Sequence, residues 1–445
     1  MKRITLFILF LSLAFPSPGR AQTHSGGKAP TLVGYKLTAV KAAGSTRYTD
    51  KEIVAASGLQ IGQTAADADF KEVAQRLGES GMFKDVTYSF SYSDMGVKLD
   101  LQLTDADQTK LVPAHFENFV WFTDAELLSH LQRRVPLFKQ VLPVSGRLAD
   151  RVNEALQQIL TDNHLPGRVD FTRQGRLDGG DLTGIGYRVE EVSMKIRNLE
   201  FPGASPEQLA FLTAAVHKLI GVEYSRGALA AVAMLDLMPL YQQRGYLKAA
   251  FASSDAHAVK QSPAEGESHA EDEIVVDASL PVTPGKQYLV SGVTWKGNSA
   301  VTTDEASHLF HLPTGQPADA VRLAHDEEIL TTLYRSRGYM TAQVAPEIQL
   351  DDAKSTVHYD MNVTEGDLYK MGELEILGVD TPSKDRLHEA WTLREGQTYD
   401  ASYTRKFLDD APRLLPRGLQ YTFKIDEEID RKGKTVDVTI HFKVQ

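Results

Sequence analysis

The sequence predicts an α+β fold, an elongated tandem repeat of five small domains, each with the order strand, helix, helix, strand, strand. Three observations carry this prediction: a glycine or asparagine helix cap that recurs about every eighty residues, a glycine turn between paired helices, and closing strands of strict alternation. The caps at positions 81, 163, 245, 338 and 418 are separated by 82, 82, 93 and 80 residues. A fixed period of this size is typical of a repeat architecture.

The composition excludes several classes of protein. The chain has 445 residues, a formal net charge of -11, 42% hydrophobic residues and no cysteine. Its hydrophobic content is that of a globular protein, and its acidic balance has the wrong sign for neutralising phosphates, so we expect no nucleic-acid partner. Without cysteine the chain has no disulfide framework, no thiolate metal ligand and no thiol nucleophile.

The N-terminus has the pattern of a signal peptide, which we assign to residues 1–21. Lys2 and Arg3 precede an apolar run from Ile4 to Phe15, and Gly19-Arg20-Ala21 supplies small residues for cleavage. The run would rise about 18 Å as a helix, short of the ~30 Å hydrocarbon core. We therefore expect an exported, soluble mature chain rather than a membrane anchor.

Each repeat opens with a short strand and a capped helix. Threonine-aspartate before an apolar-periodic run predicts a helix start, because the side chain caps free N–H groups and the acid complements the helix dipole. The strands are Tyr35–Val40, Phe119–Phe122 and Val293–Asn298, and the helix starts are Thr49-Asp50-Lys51-Glu52, Thr123-Asp124-Ala125-Glu126 and Thr303-Asp304-Glu305.

A glycine turn and a second helix follow, and the second helix ends at the recurring cap. The turn occurs at Gly62, Gly221, Gly315 and Gly396, and the cap at Gly81, Asn163, Arg244-Gly245-Tyr246, Arg337-Gly338-Tyr339 and Arg417-Gly418-Leu419. Glycine or asparagine at such a cap indicates a left-handed backbone conformation.

The last strand of each repeat alternates strictly, which predicts one face on a core and the other on solvent. The apolar positions are Val357, Tyr359, Met361 and Val363 in the fourth copy and Val436, Val438, Ile440, Phe442 and Val444 in the fifth.

Two features of the third repeat depart from the common pattern. Residues 226–243 read as a nearly continuous apolar helix, so Leu235→Asp should unfold this repeat. Residues 252–273 are poor in aliphatic side chains and rich in small and acidic ones, which predicts a mobile acidic loop; the alternative is a regulatory segment with its own partner.

These units resemble polypeptide-transport-associated (POTRA) domains, the periplasmic arm of the outer-membrane β-barrel assembly and translocation family. The resemblance is carried by Ile274–Asn298 and Val357–Gly378, where a strand is followed by a Pro-Gly or Glu-Gly junction and the next opening strand. It implies POTRA-like domains that we number as segments 1 to 5: residues 35–110, 111–192, 193–285, 286–367 and 368–445.

In that family a membrane barrel normally follows the array, whereas this sequence has no series of ten-residue alternating segments. The resemblance therefore implies an array without the barrel, located in the periplasm and associated with the outer membrane only through a partner. The implied partner is an outer-membrane β-barrel protein or unfolded outer-membrane clients.

Motifs for catalysis or cofactor binding are missing from the sequence. Gly179-Gly180 with Gly184 and Gly186 lie between two strands, where a hairpin loop is expected rather than a phosphate site. His308 and His311 have no third ligand placed nearby by spacing. We expect no catalytic residue, cofactor, metal or small-molecule substrate.

The candidate binding sites are therefore sheet edges, where a client strand could add by main-chain pairing. In the POTRA pattern the third strand is central and the second is an edge, here Phe83–Phe90, Tyr246–Ser253, Tyr339–Ile348 and Leu419–Lys424. The individual candidates are Tyr339, Met340, Thr341, Ala342, Gln343 and Val344 in segment 4 and Tyr246, Leu247 and Phe251 in segment 3.

A second candidate surface is the aromatic group Phe119, Trp121 and Phe122 beside Phe116. These residues either fill the core of segment 2 or form an exposed patch for a partner. Because Trp121 and Phe122 would point to opposite faces of a strand, at least one of them needs cover from a neighbour.

Two functional hypotheses follow. The first is a non-enzymatic periplasmic scaffold or chaperone that assists outer-membrane protein assembly or translocation by strand addition at sheet edges. The alternative is an envelope adaptor of a cell-division or secretion complex, unrelated to barrel assembly. An enzyme is disfavoured because no cleft of convergent titratable groups follows from the repeat pattern.

Overall fold

The computed structural model describes residues 34–175, 181–259, 273–416 and 420–444. The predicted signal peptide, Gly179-Gly180, residues 260–272 of the predicted loop and the cap at 417–419 lie outside these residues. The described chain forms two compact units: one contains residues up to 200 with 216–230 and 253–280, and the other contains 201–215, 231–252 and 281–445.

Several small strand-helix-helix-strand-strand units follow one another along the chain, as predicted. Segment 1 contains β1 (Tyr35–Ala43), α1 (Asp50–Ser57), β2 (Thr64–Ala65), α2 (Asp67–Glu79), β3 (Phe83–Ser93) and β4 (Gly96–Asp105). Segment 2 contains β5 (Leu111–Phe116), α3 (Asp124–Arg134), β6 (Val141–Pro143), α4 (Leu148–Asp162), β7 (Arg168–Gly175) and β8 (Leu182–Glu190).

Segment 3 contains β9 (Ser193–Glu200), α5 (Pro206–Val216), α6 (Arg226–Val232), α7 (Met238–Gln242), β10 (Ala250–Phe251), β11 (Asp255–Ala258), β12 (Glu273–Ser279) and β13 (Val282–Thr283). Segment 4 contains β14 (Leu289–Lys296), α8 (Thr303–Leu309), α9 (Ala320–Ser336), β15 (Gln343–Asp351) and β16 (Thr356–Thr364). Segment 5 contains β17 (Lys370–Leu377), α10 (Thr381–Ala390), α11 (Ala401–Asp410), β18 (Tyr421–Asp430) and β19 (Thr435–Val444).

The third strand is the central one, as the resemblance implied. The sheet orders are β2-β1-β4-β3, β6-β5-β8-β7, β11-β12-β9, β14-β16-β15 and β17-β19-β18, with a separate pair β10-β13. In each multi-stranded sheet the first strand runs parallel to the central strand and the second antiparallel to it.

The alternating closing strands form the cores. Val357, Tyr359 and Met361 are fully buried, and Val363 is 7% exposed. The equivalent residues of β19 are buried from Val436 to Phe442, but the predicted last member, Val444, is 44% exposed at the strand end. The period-two pattern thus identified the core face of the central strands.

The helix starts were predicted well because a cap needs only local contacts. Thr49 and Thr123 each accept a hydrogen bond from the N–H of a glutamate three residues on, and that glutamate binds back to the cap backbone. The third start is one residue earlier than predicted, since Thr302 rather than Thr303 caps α8. The second cap was also misplaced: Asn163 has φ -100, and the left-handed residue is His164 with φ 54.

The prediction for the helix at 226–243 was wrong at Leu235, which is 75% exposed. A single π-helical turn at Ala233–Leu237 separates α6 from α7. It moves the buried residues to a four-residue spacing, Leu229, Ala233, Leu237 and Tyr241, and turns Leu235 to solvent.

Leu237→Ala should therefore destabilise the protein where Leu235→Ala does not. Leu237 is 0% exposed, so its truncation should cost about 2–5 kcal/mol of the free energy of unfolding. The matched Leu235→Ala should stay within about 0.5 kcal/mol of the natural protein. Urea unfolding followed by circular dichroism compares the two, and equal losses would contradict the π-turn register.

The cap glycines have a second role that the repeat pattern did not reveal. Each lies against the following segment: a Cβ on Gly245 would meet the Tyr288 carbonyl at 2.6 Å, and one on Gly338 would meet Thr398 at 2.8 Å and the Tyr369 carbonyl at 3.0 Å. The Tyr288 N–H donates to the Gly245 carbonyl and the Tyr369 N–H to the Gly338 carbonyl, both at 2.8 Å. Glycine is therefore required for close approach as well as for the left-handed backbone.

Gly338→Ala should destabilise segments 4 and 5 more than Gly315→Ala. Both residues have positive φ, +89 and +82, so both substitutions carry a backbone cost of about 1–2 kcal/mol. A Cβ on Gly315 meets nothing within 4 Å, whereas one on Gly338 enters the junction. Differential scanning calorimetry of the two variants isolates the packing contribution. Equal melting temperatures would show that the contact between segments 4 and 5 accommodates the added methyl group without loss of stability.

Candidate functional site: the open sheet edges

One edge of each sheet is covered by the chain itself. The outer side of β1 pairs with β2 and that of β5 with β6. In the other segments the same role falls to single bridges, Lys195 to Glu223, Leu289 to Pro317 and Lys370 to Thr398. All the covering residues lie between the two helices of their segment, so the helix-helix connection blocks the first strand.

The opposite edge of each sheet is the second strand. β3, β7, β15 and β18 each end their sheet, and no other strand of the described chain pairs with their outer side. Main-chain N–H and C=O groups on such an edge can accept an added strand. The candidate functional site is therefore the open second-strand edge with the helix beside it.

On β15 the face that looks toward α9 carries apolar side chains that the segment does not cover. Val344 packs on the core of segment 4. Farther along the same face, Ile348 is 52% and Leu350 38% exposed, opposite the buried Tyr359 and Val357 of β16. Pro346 stands between these two parts and removes one N–H from the strand.

The edge of β18 has the same character and more charge. Ile425 packs on the core of segment 5, whereas Phe423 and Ile429 on the same face are 51% and 37% exposed. Between them, Glu427 accepts a hydrogen bond from the Tyr399 hydroxyl at 2.7 Å. Burial, together with this bond, raises the pKa of Tyr399 well above its usual range, so the tyrosine remains a neutral donor.

Segment 3 differs because segment 2 occupies part of its edge. The N–H of Ala258, on the edge strand β11, donates to the carbonyl of Val120 at 2.9 Å. A groove of about 400 Å³ lies beside this contact, lined by Trp121, His257, Val259 and Ile274. The loop after β5 thus forms one main-chain hydrogen bond with the outer side of β11.

An ionic contact fixes the same loop to the start of α6. Arg226 donates to Asp124 at 3.0 and 3.3 Å, and its backbone N–H donates to the Glu117 carbonyl at 3.1 Å. The Glu117 carboxylate accepts from Ser225 Oγ at 3.1 Å and Gly227 N–H at 2.8 Å. Burial alone would lower the pKa of Arg226, but the hydrogen bond and charge of Asp124 raise it overall.

The predicted edge strand of segment 4 began four residues too early. Of the six candidates only Gln343 and Val344 lie on β15. Tyr339, Met340, Thr341 and Ala342 precede it: Ala342 is 4% exposed in the core of segment 4, and Met340 is 6% exposed in the core of segment 5. These two cannot face a client because the cores already bury them.

The candidates of segment 3 are likewise placed off an open edge. Tyr246 precedes the strands and packs against Tyr241, at 5.6 Å between ring centroids. Leu247 packs against the core of segment 4, and Phe251 lies on β10, which pairs with β13. Within the predicted strand at 246–253 only the two-residue β10 forms. The edge strand β11 begins at Asp255, inside the stretch 252–273 that was predicted to be a mobile loop, so that prediction was wrong at residues 255–258.

The aromatic group of segment 2 forms a turn rather than the predicted strand, since β5 ends at Phe116. Phe119 is 7% exposed and packs edge-on against Phe116 at 5.8 Å, so it belongs to the core. Trp121 and Phe122 are half-buried. Trp121 lines the groove beside β11, and Phe122 lies 5.7 Å from the His130 ring.

The described residues hold no cluster of histidines and acids suited to a metal ion. His308 lies on α8, and His311 follows that helix, where its Nδ1 approaches Arg322 at 2.7 Å. None of the helices given above combines the length and apolar composition that crossing a bilayer requires.

Comparison with known proteins agrees with this architecture. Residues 288–366, which lie within segment 4, match the model of the POTRA family, described as "surface antigen variable number repeat". The resemblance to POTRA domains is confirmed. The POTRA match contains β14, β16 and β15, the sheet whose open edge carries Ile348 and Leu350.

One named protein and two solved structures are also similar to this chain. The chain is 23% identical over 234 residues to a Treponema pallidum protein named "putative outer membrane protein assembly factor"; the match covers 53% of this chain and 25% of that protein. Among solved structures, BamA POTRA3-5 of Haemophilus influenzae is 19% identical, with a TM-score of 0.44, covering 57% of this chain and 96% of that one. The N-terminal domain of Omp85 from Thermosynechococcus elongatus is 17% identical, with a TM-score of 0.26, covering 57% and 99%.

The Arg226–Asp124 pair should show measurable coupling, unlike an exposed ion pair elsewhere. Arg226 is only 22% exposed, so a double-mutant cycle of Arg226→Met and Asp124→Asn should give a coupling of about 1 kcal/mol. The control is Arg413 with Asp410, whose side chains are 82% and 68% exposed and should couple by less than about 0.3 kcal/mol.

The free energies come from urea unfolding at low and high salt, since screening should weaken the coupling. Equal coupling in the two cycles would mean that Arg226 does not hold the loop.

Proposed function

We propose that this protein is a non-enzymatic periplasmic scaffold or chaperone in outer-membrane protein assembly or translocation, and that it holds client chains by strand addition at β15 and β18. The observation that carries the proposal is the asymmetry of the sheets: one edge is covered by the chain, and the other is open beside exposed apolar side chains. Strand addition at these two edges requires no catalytic group.

Main-chain pairing suits a client whose sequence varies. The hydrogen bonds come from the backbone of both partners, and alternate side chains of the client would fall beside Ile348 and Leu350 or beside Phe423 and Ile429. Outer-membrane β-barrel proteins consist of such alternating segments, which makes unfolded barrel chains the client class with the fitting pattern.

The energies favour weak and reversible binding. Four or five added hydrogen bonds contribute about 1 kcal/mol each, against an association cost of about 4–15 kcal/mol. Burying a half-exposed side chain such as Ile348 adds up to about 1.5 kcal/mol. One edge alone binds weakly, and two edges on one chain raise the effective concentration of a client for the second site.

Both edges also carry features that oppose permanent pairing. β15 contains Pro346, and β18 carries five charged residues between Lys424 and Asp430. Proline and charge on an edge strand prevent edge-to-edge aggregation. A chaperone that must release its client needs an edge that can pair with a strand but cannot pair along its whole length.

The name of the Treponema relative and the POTRA match support a role in outer-membrane protein assembly, and the predicted signal peptide supports export. We infer contact with an outer-membrane β-barrel protein or its unfolded precursor, and membrane association through that partner. Nucleic acid and small molecules have no place in this mechanism.

A photo-crosslinking residue at Ile348 tests the proposal. Ile348 lies on the open face of β15, and the control position Glu328 is exposed on α9 of the same segment. In fractionated envelopes, mass spectrometry should identify outer-membrane barrel proteins crosslinked at Ile348 and at least roughly fivefold fewer at Glu328, because strand pairing places a client only at the edge.

Recovery of division or secretion proteins alone would overturn the proposal in favour of an envelope adaptor. The purified full chain provides a second readout: Ile348→Lys, which adds charge to the edge, should weaken binding of a urea-unfolded barrel protein severalfold without changing the melting temperature. Unchanged binding would exclude β15.

A further inference from the structure

The edge strand of segment 1 lacks the protection seen on β15 and β18. β3 is eleven residues long, contains no proline and carries no charge from Val86 to Ser93. An edge that is long, uncharged and free of proline pairs readily with another strand. The difference indicates that a specific partner strand pairs with the outer side of β3.

The same strand carries a row of aromatic rings on the face toward α2. Phe90 lies 5.4 Å from Phe70 of α2 and 5.4 Å from Tyr92, and 6.5 Å from Tyr88, between ring centroids. Tyr92 is 52% exposed and stands 4.5 Å from Tyr35 of β1. From Thr87 to Ser93 the other face presents only serine and threonine, with Ser89 and Ser91 exposed.

The sequence of this row is a palindrome: residues 88–92 read Tyr-Ser-Phe-Ser-Tyr in both directions. Two copies of the strand, paired antiparallel about a two-fold axis at Phe90, place each residue opposite its own kind. Tyr88 then faces Tyr92 of the other copy, Ser89 faces Ser91, and Phe90 faces Phe90. Self-complementarity of this kind is what an isologous two-fold interface requires.

We propose that two copies of this chain associate through β3, forming one continuous eight-stranded sheet of order β2-β1-β4-β3-β3-β4-β1-β2. The two-fold axis stands perpendicular to the sheet, so both α2 helices lie on the same face. Six aromatic rings, three from each copy, line the seam between them. Aromatic cross-strand pairs contribute to sheet stability, and an uncharged seam buries no unpaired charge.

The net charge of -11 adds a salt dependence. Two acidic copies repel each other at long range, and salt screens this repulsion, whereas the seam itself has no charged pair to weaken. Dimerisation should therefore strengthen as the salt concentration rises.

The register can be tested directly because the chain has no cysteine. Ser89→Cys and Ser91→Cys are made in the purified full chain, and one of them carries a mass tag. Residues directly opposite in a sheet lie within disulfide distance, whereas diagonal neighbours are strained. Under mild oxidation the mixture should form the mixed disulfide roughly tenfold faster than either variant forms its own.

Analytical ultracentrifugation supplies the second readout. The natural protein should be a concentration-dependent dimer, whereas Ser91→Glu should be a monomer, because it places a charge in the seam. Its melting temperature should be unchanged at concentrations where both proteins are monomeric, since Ser91 is exposed and lies opposite Lys98 of β4, with which a carboxylate can pair. The matched control Thr422→Glu, at an exposed position on β18 opposite Lys443, should remain a dimer.

Three results would overturn the proposal: a natural protein that stays monomeric up to about 100 μM, where micromolar edge pairing would be visible; a dimer unaffected by Ser91→Glu; or equal disulfide rates in all mixtures. Crosslinking of β3 in a monomer to an unfolded barrel protein would instead assign this edge to a client. None of these outcomes bears on binding at β15 or β18.

Discussion

A three-stranded sheet has two edges, and this chain uses the connection between its own helices to cover one of them. The constraint is geometric: the segment that links the first helix to the second must cross the outer side of the first strand. The first strand is therefore the covered edge of each described sheet, and the second strand is the edge with free main-chain groups. The second strands differ in length, charge and cover, and these differences distinguish segments that share one fold.

Much of the fold was predictable because it depends on local or periodic signals. The threonine-glutamate caps and the alternating central strands are properties of a few adjacent residues, and they lie where the sequence placed them. The start of the edge strand in segment 4 was not predictable in this way. Met340 and Ala342 look like strand residues, but both are core residues. Ala342 packs in the core of segment 4, whereas Met340 packs in the core of segment 5, and that contact depends on the neighbouring repeat.

The exposed Leu235 shows a second limit of periodic reasoning. A helix pattern assumes 3.6 residues per turn, and one π-helical turn adds a residue and shifts every later side chain around the axis. Pro239, two residues after the turn, is the one sequence signal of an irregular helix here, because it has no N–H to continue the hydrogen-bond ladder. The cap glycines show the reverse case: their spacing is evident in the sequence, but their contact with the next segment arises only in the folded chain.

The backbone contact between Val120 and Ala258 bears on stoichiometry. Because the loop of one repeat already bonds to the edge strand of the next, the repeats are not interchangeable. If extended chains add at sheet edges as proposed, the number of such chains that the array can hold is smaller than its number of sheets.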